Sequence, residues 1–117
     1  MTLDHFREYC LSFKGTTEQL PFDENTLVFK VLGKIFALSN IMTFEYANLK
    51  CDPEKAIILR EKFYEVTPAW HMNKKHWNSV RVDGDLSDKQ IENWITDSYN
   101  LVVKNMSKKL KIELEKF

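Results

Sequence analysis

Hydrophobic spacing changes character twice along this chain, and those changes limit the possible folds more than any other feature. Leu3, Phe6, Cys10 and Phe13 recur at steps of three and four behind Thr2. That is the pattern of an amphipathic first helix, ending near Lys14-Gly15. From Thr26 the residues turn β-rich. Thr26 to Leu32 and Ile35 to Leu38 flank Gly33-Lys34 and predict a hairpin with a two-residue loop, followed by a third strand from Phe44 to Leu49. Helical signals return at Asp52-Pro53-Glu54, which combines a capping side chain, a proline suited to the first turn and a carboxylate favoured by the helix dipole. Ala56, Ile57, Ile58, Leu59 and Phe63 form its apolar side, and Val66-Thr67-Pro68 ends it.

Strand character follows from Ala69 to Met72 and from Ser79 to Val82, ahead of an Asp83-Gly84-Asp85 turn. Ser87-Asp88-Lys89-Gln90 is a capping box that opens a third helix, with Ile91, Trp94, Ile95, Ser98, Leu101 and Val102 as its stripe. The lysine-rich tail, Lys104 to Phe117, either extends that helix or frays. Three helices and an antiparallel sheet of about five strands predict an α+β two-layer sandwich, with helices on one face and the other face left to water or a partner.

At 117 residues, with 44% apolar residues and only three glycines and three prolines, the chain reads as one compact domain over residues 1–117. Lysine plus arginine and aspartate plus glutamate number 17 each, so no global positive field draws the molecule to nucleic acid or anionic lipid. Any such role rests on local patches. Cys10 and Cys51 stand far apart with no metal-ligand spacing, the pattern of buried thiols in a reduced, cytoplasmic protein. The first residues carry acids where a signal peptide is basic and then apolar, and Lys30 and Lys34 interrupt the most apolar stretch. Neither secretion nor a membrane partner is expected.

Catalytic signatures are thin. His71 and His76 are five apart, off the usual metal-pair spacing, and turn chemistry accounts for Asp83 and Asp85. No phosphate-cradling glycine loop or nucleophile elbow occurs, so neither an enzyme nor a cofactor is expected. The unusual stretch runs from Trp70 to Arg81, inside a window from Glu65 to Asp83 that holds no acid. Lys74, Lys75 and Arg81 can meet phosphates, Asn73, Asn78 and the histidines can hydrogen-bond, and Trp70 or Trp77 can stack. The plainer alternative makes Trp77 and Val80 core and Lys74-Lys75 a solvated loop tip. A second basic run holds Lys104, Lys108, Lys109 and Lys111; at a helix C-terminus such lysines would simply offset the dipole.

Three segments together resemble the MmcQ/YjbR family. They are Asn48 to Pro53, Thr67 to Val80 with its H-x-N-K-K-H-W-N run, and Ser98-Tyr99 through Lys108-Lys109-Leu110. The likeness runs from Phe22 to Lys111. It implies a CyaY-like, frataxin-type sandwich, a bacterial cytoplasmic protein, and DNA binding associated with a double-wing arrangement. Carried over by position, it makes His71, Asn73, Lys74, Lys75, His76, Trp77 and Asn78 a signature surface. Ser107 departs from the pattern, standing where a proline is expected. Iron handling, which the fold invites, would need a dense acidic ridge, whereas the first helix offers only Asp4 and Glu8, so no metal is expected.

The resulting expectation is a non-enzymatic DNA-binding protein. Asn73, Lys74, Lys75, His76, Trp77, Asn78 and Arg81 form its contact segment, assisted by Lys50, Lys108 and Lys109. The alternative is a protein-interaction or small-ligand module; a third reading makes His71 or His76 a catalytic base.

Overall fold

The computed structural model describes every residue except Trp70 and His71. The described elements are α1 (Leu3–Leu11), β1 (Thr16–Gln19), β2 (Thr26–Val31), β3 (Lys34–Asn40), β4 (Tyr46–Lys50), α2 (Pro53–Lys62), β5 (Val66–Pro68), β6 (Trp77–Arg81), α3 (Asp88–Lys104) and α4 (Lys108–Glu115). The strands form one antiparallel sheet in the order β1-β2-β3-β4-β6-β5. This is the expected α+β class, with an open six-stranded sheet and four helices.

Side chains alternate across the sheet as strand geometry requires, except at a bulge in β3 that sends the consecutive Phe36 and Ala37 to the same core. Phe29 and Val31 of β2, Phe36 and Ala37 of β3, Leu49 of β4 and Val80 of β6 join Phe6 and Cys10 of α1, Ile91, Ile95 and Tyr99 of α3, and Leu114 of α4 in the main core. Val28, Leu38 and Trp77 point to the other face. There Ala69 and Met72, from the segment between β5 and β6, cover them as a second, smaller core.

Capping places α1, α2 and α3 as the sequence predicts, and a further cap at Ser107 opens α4. Thr2, Asp52, Ser87 and Ser107 each accept a backbone N–H from the first turn of α1, α2, α3 and α4 respectively. The hairpin turn falls at Leu32-Gly33, one residue earlier than expected. Both residues hold positive φ, 46° and 83°, as a two-residue turn between right-twisted strands demands.

Ser98 of α3 makes the key contact between the layers. The β3–β4 ladder stops at Ala37 opposite Leu49. One step beyond, the fully buried Ser98 hydroxyl donates to the Phe36 carbonyl at 2.6 Å and accepts from the Lys50 N–H at 2.8 Å. A side chain from the helix layer thus completes the hydrogen bonding of two strands that have diverged.

Four expectations need correction. Thr16–Gln19 forms an edge strand, because its alternation of half-buried and exposed polar residues carries no hydrophobic signal. The third strand begins at Tyr46; Phe44, at φ 41°, is still in the turn. The strand expected from Ala69 to Met72 is instead β5, Val66–Pro68, and the Trp70 portion of that expectation lies outside the described residues. The tail neither extends α3 nor frays. Asn105 ends α3, Ser107 caps a separate helix, and Leu114 packs against Gly15, whose φ of +70° suits only a residue without a side chain. Of the thiols, Cys10 is buried and desolvation pushes its pKa up; Cys51 is half-buried and is raised for the same reason.

Ser98→Ala leaves a buried carbonyl and a buried N–H without their partner. Urea denaturation is expected to show a loss of about 1–3 kcal/mol with an unchanged m-value.

Candidate nucleic-acid interface

The segment singled out in the sequence connects β5 to β6, and both of its asparagines help to build it. The Asn73 carbonyl accepts from the backbone N–H groups of His76 and Trp77 at 3.1 and 3.0 Å, and its side-chain oxygen accepts from the Lys75 N–H at 2.9 Å. Asn73 therefore closes a tight turn that holds Lys74 and Lys75 at its exposed tip. Asn78 is only 2% exposed. Its amide accepts from Arg60 Nε at 2.7 Å and reaches the Ala56 carbonyl at 3.4 Å, tying β6 to α2.

Arg60 is the residue that sequence reasoning missed. Besides Asn78, its guanidinium donates to the Lys74 and Trp77 carbonyls. One cation on α2 thus grips both ends of the Lys74–Asn78 segment, and its partners, 14 to 18 residues away, leave no local spacing signal.

Trp77, 8% exposed, is packed in the second core with Val28 and Leu38 and presents no indole face for stacking. The expectation that Trp77 and Asn78 contact a nucleic acid directly gives way to a structural role for both, which is the plainer reading of Trp77. His76 is half-buried, and its carbonyl accepts from Cys51 N at 2.8 Å. His71 and Trp70 lie outside the described residues.

The ladder sorts the charges. In an antiparallel sheet, alternate turns fall at opposite ends. At one end lie the start of β1, the β2–β3 turn, the end of β4 and the start of β6, which bring Lys14, Lys34, Lys50, Lys74 and Lys75 together. The α3 C-terminus lies beside them, since the Tyr99 hydroxyl donates to the Lys14 carbonyl at 2.6 Å. Lys104 follows there, and α4, seated on Gly15 through Leu114, adds Lys108 and Lys109.

Of the acids at this end, Asp52 caps α2, Asp97 pairs with Lys55 at 2.9 Å, and Glu113 and Glu115 flank Leu114 in the last turn of α4. Lys108 and Lys109 occupy the first turn of α4, where the dipole disfavours cations, so dipole compensation does not account for them.

Arg81 is not part of this group. It terminates β6 about 14 Å from Trp77 at ordinary strand rise and bonds Asp83 at 2.7 Å, the contact that chiefly raises its pKa. The opposite end of the sheet is acidic, with Asp23, Glu24, Glu45, Glu65, Asp83, Asp85 and Asp88 in its turns and helix start. Among the described residues no three His, Cys, Asp or Glu side chains are placed to share a metal ion.

The fold and this surface define an α+β protein with one helix-covered face, one largely open face and a lysine-rich sheet end. Solved structures share the fold: a crystal structure of Deinococcus radiodurans protein DR2400 superposes with a TM-score of 0.90 at 36% identity, over 97% of this chain and 88% of that one. A Pseudomonas syringae protein superposes with a TM-score of 0.74 at 30% identity, over 86% and 98%.

Residues 11–101 match the family model YjbR, and the chain belongs to that family. Among its relatives, uncharacterized protein YbdF of Escherichia coli O157:H7 is 40% identical over 76% of this chain and 74% of its own length. Uncharacterized protein YjbR of Escherichia coli K12 is 33% identical over 88% of each.

Arg60→Met removes the grip on the Lys74–Asn78 segment and leaves the Asn78 amide short of a donor. Hydrogen exchange of the amides from Asn73 to Asn78 is expected to accelerate, with a global loss of about 1–3 kcal/mol.

Proposed function

We propose that this protein binds nucleic acid, most directly duplex DNA, through the phosphates, using the lysine-rich end of its sheet. The observation that carries the reading is the gathering of Lys14, Lys34, Lys50, Lys75, Lys104, Lys108 and Lys109 at one end of an electrically neutral chain. From β2 to β6 the end spans three strand spacings, about 14 Å. Phosphates on one strand rise by about 3.4 Å per nucleotide, so several lie within reach at once.

The asymmetry supplies orientation as well as attraction. Carboxylates at the other end turn away from a polyanion, so the lysine end meets it first. Lysines at the α4 N-terminus stand where backbone N–H groups also point outward, and both favour an anion. In the Asn73–Asn78 segment Trp77 is packed in the second core and the Asn78 amide is bonded to α2, so neither supports base readout. Contacts that position without reading sequence are what remains. Such binding is weak and strongly salt-dependent.

Fluorescence anisotropy on a labelled duplex, titrated from about 50 to 200 mM salt, tests the reading. Each phosphate-contacting lysine replaced by alanine, taking Lys50, Lys75, Lys108 and Lys109 in turn, is expected to reduce the log–log slope by about 0.9. Arg81→Ala is expected to leave it unchanged. Slopes insensitive to all four lysines would remove the proposal.

A further inference from the structure

The open face of the sheet carries a groove that nucleic-acid binding does not use. It is a cavity of about 890 Å3 between the β1–β2 loop and the segment after β5, and its apolar surface comes from Phe22, Leu38, Tyr46, Pro68 and Met72. Its floor is the polar row Asn48–Ser79–Thr67 of neighbouring strands, with the Ser79 hydroxyl donating to the Asn48 side chain. The volume lies within the range of ligand pockets. At its mouth the apolar surface spreads out. Leu20, Phe22, Met42 and Tyr46 all sit at the acidic end and are exposed, Phe22 at 67% and Met42 at 74%.

Charge decides the occupant. Asp23 and Glu45 line the groove, and Glu24, Asp83 and Asp85 lie at the same end of the sheet. Asp23 stays ionised: it accepts backbone N–H bonds from Asn25 and Thr26, and these pull its pKa below the ordinary carboxylate value. Among the described residues, two cations face the region. Lys74 lines the groove on the side of the lysine-rich end, and Arg81, 5.7 Å from the Tyr46 ring, is neutralised by Asp83. The mouth is therefore apolar and negative, which repels a polyanion and attracts a cationic apolar chain.

We infer that this groove is the docking site for an extended segment of a partner protein in which lysine or arginine alternates with large apolar residues. The apolar side chains of the segment fill the space over Leu38 and Met72, while its cations meet Glu45, Asp23 and Glu24 at the rim, an arrangement of buried anchors inside a polar border. The groove borders the lysine-rich end at Lys74, but its apolar mouth and its carboxylates lie at the opposite end, so the two readings are tested by different residues.

A random heptapeptide library displayed on phage and panned against the protein tests this. Selected sequences are expected to set lysine or arginine beside phenylalanine, leucine or tryptophan, and a synthetic peptide of the selected sequence is expected to bind in calorimetry. Its affinity is expected to fall about tenfold or more in Phe22→Ala and in Glu45→Lys. Both positions are exposed, so circular dichroism should be unaltered. Ile57→Ser/Ile58→Ser, on the exposed side of α2, should leave binding intact. Absence of enrichment, selection of acidic sequences, or full binding by both groove variants would overturn the inference. So would salt-sensitive self-association in sedimentation velocity that the same groove variants abolish, since the occupant would then be a second copy.

Discussion

Leu32 and Gly33 both adopt positive φ and pair Val31 with Lys34 and Lys30 with Ile35, and a one-residue bulge just beyond, where Phe29 pairs with Ala37, fixes the register of the rest of β2 against β3. A slip of one residue would exchange the two faces of every strand. Phe29 and Val31 would leave the helix layer and Val28 would enter it. The observed register instead puts Val28 beside Leu38 on the far face, where Trp77 and Ala69 seal them. The same register assigns each turn to one end of the sheet. Lysines occur at the turns of one end and carboxylates at the other, so a chain with 17 charges of each sign becomes a molecule with two differently charged ends. Helix directions reinforce the separation. Both α1 and α3 start at the acidic end and finish at the basic one, and their dipoles favour that distribution.

The signature segment has its meaning inside this frame. Asn73 shapes a turn, Trp77 anchors the far-face core and Asn78 bonds to α2, so half of the run is architecture. That architecture holds the lysines of the segment on a backbone clamped by Arg60 instead of on a floppy tip. A contact surface held this way loses less conformational entropy on binding. Residues that never touch a partner can therefore matter as much for affinity as residues that do.

Elements with strong periodicity were legible in the sequence. The stripe from Ile91 to Val102, the Thr2, Asp52 and Ser87 caps and the β2–β3 hairpin all appear within a residue or two of where local rules put them. Three features were not legible, each for a physical reason. Edge strand β1 buries no large apolar side chain, so hydrophobic alternation cannot mark it. The end of α3 and the start of α4 depend on Leu114 and Leu110 finding the main core around Gly15, a contact about a hundred residues along the chain. For the candidate site, local composition singled out Lys74, Lys75, Lys108 and Lys109 in two acid-free runs, with Lys50 added to them. Whether they would sit at one end, and whether Arg81 would join them, depended on strand order, which no local pattern encodes. Trp77 illustrates the same limit, since an indole beside two lysines reads equally as a stacking platform and as a core residue.

Charge separation has a further consequence for how the two ends act. A strand of five or six residues spans roughly 17–20 Å, while charges in physiological salt are screened over about 8 Å. The basic and acidic ends therefore present their fields independently, and a partner at one end does not feel the opposite charge at the other. At low salt the fields overlap and the molecule behaves as a dipole, turning its lysines toward any polyanion before contact. Orientation is then gained from long-range attraction, while the short-range contacts at each end remain separate. A neutral chain can in this way avoid non-specific adhesion and still offer a lysine-rich end and an apolar, acidic groove.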